Sequence, residues 1–150
     1  MKILIIDDDE YKYKNIFNSL NRILDTPDIK RAKSRNGGLF AIYVSEKNNN
    51  PFEFIVCDNY MPLNDDEYKI EPFAEDIINE IRRITTNKII CTCSSGDVEK
   101  WDYNYFIKYN PSILMDEQFK MIFLDMLKYK QTNLNEKILK KDRRNKDSDN

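Results

Sequence analysis

Short apolar runs alternate with amphipathic segments along the chain, and this pattern predicts repeated β-α units around a parallel sheet. Four runs have the composition of strands: residues 1–6, 52–57, 88–93 and 103–107. Residues 28–33 are a poor strand by composition, but a basic edge strand is possible there. Apolar residues at helical spacing predict helices over about residues 9–24, 72–84 and 113–129. A glycine pair marks the start of a further predicted helix over about residues 37–47. In the second helix, Leu39, Ile42 and Tyr43 are the residues expected to face inward. The alternation therefore predicts a doubly wound α/β fold.

Two segments depart from this regular alternation. Asn64–Glu71 is polar, acidic and free of glycine, so we expect an inserted loop beside the end of the third strand. After the fourth strand come Ser94-Ser95-Gly96-Asp97, and only Val98–Asp102 separates them from the fifth strand. This connection is too short for a full helix, so we expect a helix that is missing or has at most about two turns.

The composition excludes several classes of protein. A net charge of −2 over 150 residues gives no electrostatic case for nucleic acid, and no apolar run approaches the roughly 20 residues that cross a bilayer. The chain begins directly with a strand, so a signal peptide is not expected. Its three cysteines lie in or beside apolar runs, which favours buried thiols in the reducing cytoplasm. We expect one domain over residues 1–129 and a charged tail or frayed helix extension over residues 130–150.

Charged residues follow three of the predicted strands at the points where those strands end. Asp7 and Asp8 follow the first strand, Asp58 follows the third, and Lys108 follows the fifth. Because the carboxyl ends of parallel strands meet along one edge of a sheet, we expect these side chains to form one pocket. Taken singly, such acids are often helix caps, and a lone lysine is usually a solvated surface charge. Together they favour a pocket for a hard divalent cation and a phosphoryl group.

In this order and spacing, the charged residues resemble those of the response-regulator receiver domains, the phosphoacceptor modules of two-component signalling. The matching pieces are the Asp7-Asp8 pair, Asp58 within an Asp-x-x-Met-Pro pattern, and Lys108 after the last strand. The resemblance covers about residues 1–128. It implies a CheY-like, flavodoxin-like sheet of five parallel strands in the order 2-1-3-4-5, with helices on both faces.

The resemblance also implies roles for individual residues. Asp58 would be the phosphoacceptor, and Mg2+ would be held directly by Asp58 and Asp8 and largely through water by Asp7. A backbone carbonyl two residues past the phosphoacceptor, that of Tyr60, would be the remaining protein ligand. Lys108 would pair with Asp58 and later with the phosphoryl group.

Two further positions carry expectations with open alternatives. Ser94 aligns with the hydroxyl residue that donates to a phosphoryl oxygen in the family, but a shift of one or two residues gives Cys93 or Thr92 instead. Tyr105 aligns with an aromatic switch residue, and it is equally explained as a half-buried tyrosine of a strand. Tyr109 directly follows Lys108, where the family usually has proline.

Two functions of different classes follow. The first is a stand-alone receiver that catalyses its own phosphorylation from a histidine kinase or phosphotransfer protein, turns over no separate substrate, and signals by binding an unknown output protein. The second is a pseudo-receiver that binds proteins constitutively without phosphorylation. A haloacid dehalogenase-type phosphohydrolase needs a second Asp where Tyr60 stands, and a small GTPase needs a phosphate-binding loop that this chain lacks. Neither direct nucleic-acid binding nor membrane association is expected.

Overall fold

The computed structural model of the protein describes residues 1–85, 87–99 and 101–130. The strands are β1 (Lys2–Ile6), β2 (Asp28–Ala32), β3 (Phe54–Cys57), β4 (Tyr60–Pro62), β5 (Ile70–Pro72), β6 (Ile89–Ser94) and β7 (Tyr105–Lys108). The helices are α1 (Glu10–Ile23), α2 (Arg35–Lys47), α3 (Ala74–Ile84) and the helical residues 116–130, which we label α4. The predicted tail lies, apart from Lys130, outside the described residues. No helix of the described part is both long and apolar enough to cross a membrane.

A single sheet of five parallel strands has the order β2-β1-β3-β6-β7. Since β6 and β7 are its fourth and fifth strands, the predicted order 2-1-3-4-5 is confirmed. The central strand β3 is buried along its whole length, which fits its continuous apolar sequence. In the register, Ile6 of β1 lies beside Cys57 of β3, and Cys57 lies beside Thr92 of β6. The carboxyl ends of these strands therefore meet along one edge.

The first two helices begin at side-chain caps. Asp9 accepts a hydrogen bond from the Lys12 backbone N–H and begins α1. Ser34 accepts one from Gly37 N–H and begins α2. Leu39 and Ile42 of α2 are buried as expected. Tyr43 is 51% exposed, so its predicted inward orientation is wrong.

The apolar core of the unit formed by residues 1–116 includes one large cluster between strands and helices. Its buried members include Leu4, Ile6, Leu39, Ile42, Ile55, Cys57, Met61, Ile77, Ile78, Ile81 and Ile90. Helices α2 and α3 contribute to it at helical spacing, which matches their amphipathic sequences. The second unit begins at Glu117, and in it α4 buries Phe119, Ile122, Phe123 and Met126 along one face.

The insertion after β3 is a hairpin rather than a loop. Strands β4 and β5 pair antiparallel, with Tyr60 opposite Pro72 and Pro62 opposite Ile70. The residues between them attach to the start of α2, since Ser34 donates to Asp65 at 2.5 Å and Asn36 donates to Asn64 at 2.7 Å. The predicted loop over residues 64–71 is therefore correct only as far as residue 69.

No helix joins β6 to β7 within residues 95–99 and 101–104, which confirms the predicted missing helix in the part that the structure describes. Trp101 and Tyr103 pack against the apolar cluster there. Arg82 of α3 donates to the carbonyl oxygens of Lys88 and Asp102 and to the Asn104 side chain, at 2.7, 3.1 and 2.8 Å. Side chains thus hold a connection that a helix would hold by its own backbone.

Candidate functional site

The ends of β1 and β3 bring three carboxylates together. The parallel ladder continues past both strands, because Asp7 N–H donates to Ala32 O and Asp58 N–H donates to Ile6 O, each at 3.0 Å. One oxygen each of Asp7, Asp8 and Asp58 lies within 4.8 Å of the others. The predicted meeting of these acids at one sheet edge is confirmed.

Burial perturbs the two neighbouring acids that follow β1. Asp7 is 1% exposed, and burial raises its pKa to about 7 even though the Lys12 ammonium lowers it; the Asp58 carboxylate adds to the rise. Burial also raises the pKa of Asp8 above its ordinary value, and Asp58 adds to this shift. Crowded carboxylates of this kind are stabilised by a nearby cation.

The cation beside these acids is Lys12, which the sequence analysis missed. Its Nζ lies 2.8 Å from Asp58 Oδ1 and 3.1 Å from Asp7 Oδ2, and it donates to Cys93 O at 2.5 Å. Lys12 is 5% exposed. Burial lowers its pKa, but the Asp7 and Asp58 carboxylates outweigh burial and hold the pKa above its ordinary value. The ammonium therefore stays charged.

A signal for Lys12 exists in the sequence. The inward positions of α1 include Ile16, Ser19 and Leu20, and one helical step of four residues back from Ile16 is Lys12. A lysine on the buried side of a helix, four residues after two strand-end acids, is placed to reach them.

Lys108 is the last residue of β7, beside Ser94 of β6, where the resemblance expects it. Its side chain is 62% exposed, and its Nζ lies 3.1 Å from Asp97 Oδ1. Lys108 therefore pairs with Asp97, and its predicted pairing with Asp58 is not formed. The physical reason is that Lys108 extends into solvent from an edge strand, while Lys12 already lies against Asp58.

The three candidates for the hydroxyl position separate by location. Ser94 ends β6 and is 4% exposed, and its oxygen accepts a 3.4 Å contact from Gly96 N–H. Cys93 offers its carbonyl to Lys12. Thr92 is fully buried beside Cys57, and its hydroxyl oxygen has no hydrogen-bond partner among the described residues. Tyr105 is half-buried on β7, so its switch role stays a prediction.

Carboxylate and carbonyl oxygens of this edge suit a hard cation. Asp7 Oδ2 is buried and accepts no hydrogen bond within the described part of the chain, although it lies in ionic contact with Lys12. Phe73 N–H donates to Asn59 O, so the next pair of the hairpin, Tyr60 and Pro72, is a pair without hydrogen bonds. The Tyr60 carbonyl therefore takes no part in the β4–β5 ladder. The three carboxylates form a donor set that suits a hard divalent cation.

No family model matches the chain, and no curated protein matches it by sequence. Solved structures do match. The N-terminal domain of a response regulator/sensory box/GGDEF protein from Carboxydothermus hydrogenoformans has a TM-score of 0.61 at 15% identity, covering 89% of this chain and 99% of that one. A two-component response regulator from Legionella pneumophila has a TM-score of 0.59 at 17% identity, covering 84% and 98%. Response regulator Rcp1 in its Mn2+-bound form has a TM-score of 0.58 at 14% identity, covering 81% of this chain and 88% of that one. The chain therefore has the fold of a divergent, CheY-like response-regulator receiver domain.

Proposed function

We propose that this protein is a receiver whose Asp58 accepts a phosphoryl group in a Mg2+-dependent reaction and whose phosphorylation controls the binding of a partner protein. The carboxylate of Asp58, beside Asp7 and Asp8 at the end of the central strand, is the observation that carries the proposal. A histidine kinase or phosphotransfer protein is the proposed donor.

The geometry supports Asp58 as the nucleophile. Its Oδ1 forms an ion pair with the Lys12 ammonium at 2.8 Å and accepts a hydrogen bond from the Asn59 N–H at 2.7 Å. These two contacts hold the carboxylate in one orientation. A carboxylate oxygen of Asp58 attacks phosphorus, the P–N bond to the donor histidine breaks, and the imidazole leaves with the electron pair and takes up a proton. The product is an aspartyl phosphate.

The acids would hold the metal that such a reaction uses. Asp8, Asp58 and the Tyr60 carbonyl are its proposed direct ligands, and Asp7 acts largely through water. When bound, Mg2+ supplies positive charge that offsets the repulsion between the carboxylates and the phosphoryl oxygens. The Mn2+-bound state named for Rcp1, a protein of the same fold, supports a divalent cation here.

The remaining proposed parts lie on β6 and β7. Ser94 would donate its hydroxyl to a phosphoryl oxygen, and Tyr105 would change its orientation when Ser94 moves. Three free and buried thiols, Cys57, Cys91 and Cys93, fit a reducing compartment, so we propose a cytoplasmic protein.

A pseudo-receiver is the second candidate, and one observation favours it. Lys12 already compensates part of the charge of Asp7 and Asp58, so the pocket has an internal counter-ion without any added cation. In that case the protein binds its partner constitutively.

Acetyl phosphate with Mg2+ separates the two functions. We expect intact-mass measurement to show one added phosphoryl group on the wild type and none on Asp58→Asn. Asp97→Asn, which removes a 91% exposed carboxylate, is the matched control and should be modified like the wild type. If the wild type gains no phosphoryl group, and beryllofluoride with Mg2+ leaves its Trp101 fluorescence unchanged, the pseudo-receiver is the better description.

A further inference from the structure

We propose that Lys12 supplies the ammonium of the phosphoacceptor site, in the role that the family resemblance assigns to Lys108. This inference rests on the proposed phosphorylation of Asp58. It places the cationic group on the first turn of α1 instead of at the end of β7, so the same chemistry is reached from the opposite side of the acids.

Lys12 contacts the residues of the proposed site and is not a solvated surface lysine. Its ammonium joins the two carboxylates that follow β1 and β3, at 3.1 and 2.8 Å, and the Cys93 carbonyl that precedes Ser94. It thereby connects the ends of β1, β3 and β6, the strands that carry the proposed metal ligands, nucleophile and hydroxyl.

Apart from its contacts with the acids, the surroundings of the Lys12 ammonium destabilise it in two ways. A lysine on the first turn of a helix is opposed by the helix dipole, by roughly 0.3–1 kcal/mol. Burying an ammonium is opposed by desolvation, which amounts to several kcal/mol in a protein interior. The carboxylates of Asp7 and Asp58 offset both terms, so the position of Lys12 is set by the acids of the site.

Tyr109 completes the surroundings of the ammonium. The Lys12 Nζ lies 5.5 Å from the centre of the Tyr109 ring, within the range of a cation–π contact. Asn15 donates to the Tyr109 hydroxyl at 2.8 Å and fixes the ring. The residue that stands where the family usually has proline therefore covers Lys12, while Lys108, just before it, lies on Asp97.

This arrangement gives Lys12 a task before and after transfer. Before transfer it holds Asp58 Oδ1, which leaves Oδ2 to attack phosphorus. When the O–P bond forms and the donor leaves, the carboxylate charge of Asp58 is lost and the phosphoryl oxygens become the nearest anions. The ammonium then pairs with them and keeps its three protons throughout.

The test compares lysine variants by their initial rate of phosphorylation with acetyl phosphate at saturating Mg2+. We expect Lys12→Met to lower the rate by about 100-fold, the typical loss when one charge-stabilising donor is removed. Lys12→Gln should be nearly as slow, because it keeps a donor but no charge. Lys108→Met should stay within about twofold of the wild type, since its ion pair is exposed. Lys14→Met, on the same helix with a 66% exposed side chain, is the matched control.

The outcomes distinguish the inference from the proposed function. A Lys12→Met variant that is phosphorylated at the wild-type rate overturns the inference alone. So does a large loss in Lys108→Met, and this arm remains decisive even if both Lys12 variants fail to fold, which near-ultraviolet circular dichroism of Trp101 would reveal. A wild type that is never phosphorylated overturns the proposed function and, with it, the role of Lys12.

Discussion

The sheet edge that carries the candidate site has two halves, and they are built differently. At the ends of β1 and β3, Asp7 and Lys12 are 1% and 5% exposed and lie in direct ionic contact. At the end of β7, Lys108 pairs with Asp97, and their side chains are 62% and 91% exposed. Charges in the first half are therefore held at low effective dielectric, where their mutual energies are large. Charges in the second half are solvated and contribute little.

Glycines show the same contrast in packing. A Cβ atom added to Gly38 of α2 would lie 2.8 Å from Ile6 Cδ1, just before Asp7. A Cβ added to Gly96, after Ser94, would meet nothing within 4 Å. The difference teaches that the acid half is fixed by close packing beneath it, whereas the β6–β7 half has room around its loop.

The largest expected effect concerns Mg2+ binding, which should depend on the acids that follow β1 and β3 and not on Asp97. If it does not, the contrast between the two halves of the edge is wrong. Asp8→Asn removes a proposed direct ligand and should weaken Mg2+ binding by about 100-fold, more than Asp7→Asn, whose contact is proposed to run through water. Asp97→Asn, on the other half, should bind like the wild type. Titration calorimetry and Trp101 fluorescence both measure this. If Asp7→Asn, Asp8→Asn and Asp58→Asn all titrate like the wild type, the three-carboxylate pocket is not the cation site.

A smaller effect concerns the pH dependence of stability. With a pKa of about 7 in the folded state against 3.8 unfolded, Asp7 binds more protons folded than unfolded between those values, so its contribution to stability falls as pH rises from about 4 to 7. The shift corresponds to at most about 4 kcal/mol, and the loss of an ionic partner for Lys12 reduces it. We expect Asp7→Asn to be about 2 kcal/mol more stable than the wild type at pH 8 in EDTA.

The control for this prediction is the same pair of proteins at pH 4, where the difference should shrink towards zero because the carboxyl is then largely protonated. Urea unfolding followed by Trp101 fluorescence gives both values. A variant that is equally stable at both pH values, relative to the wild type, would show that Asp7 is ionised without penalty.

The smallest expected effect is on the free energy of unfolding, and it compares glycine substitutions in the two halves of the edge. Gly38→Ala forces Ile6 to move, at about 1–3 kcal/mol, and the higher helix propensity of alanine returns up to about 1 kcal/mol. We expect a net loss of about 1 kcal/mol in the free energy of unfolding. Gly96→Ala should change it by less than about 0.5 kcal/mol. Equal midpoints of urea unfolding for the two variants would mean that the halves are equally adaptable.

The fold and the acid half of the site could be predicted from the sequence because one physical rule determines both. A buried parallel strand has a continuous apolar sequence, and its end is marked by the first charge that follows it. Asp7, Asp8 and Asp58 are such charges, and the geometry of parallel sheets brings them together. The missing helix was predictable too, because a chain of given length limits the number of turns.

The other parts depend on features that a local pattern does not contain. The burial of Lys12 is set by acids on two other segments, so its own helix identifies it only as a polar residue. Lys108 has four side-chain torsions, so its side chain can reach more than one acid. It pairs with Asp97 because the Lys12 ammonium already lies against Asp58. The hairpin strands β4 and β5 have three residues each and contain Pro62 and Pro72, which gives no strand period to detect.

The guanidinium of Arg82 has a consequence for local unfolding. A crossover helix would be held by many of its own peptide groups, whereas this crossover is held in part by one side chain that donates to Lys88 O, Asp102 O and Asn104. Its opening is then a small event that can occur without global unfolding of the sheet. We therefore expect the connection that leads from Ser94 to Tyr105 to open locally more often than the sheet does, and Arg82 of α3 to oppose that opening.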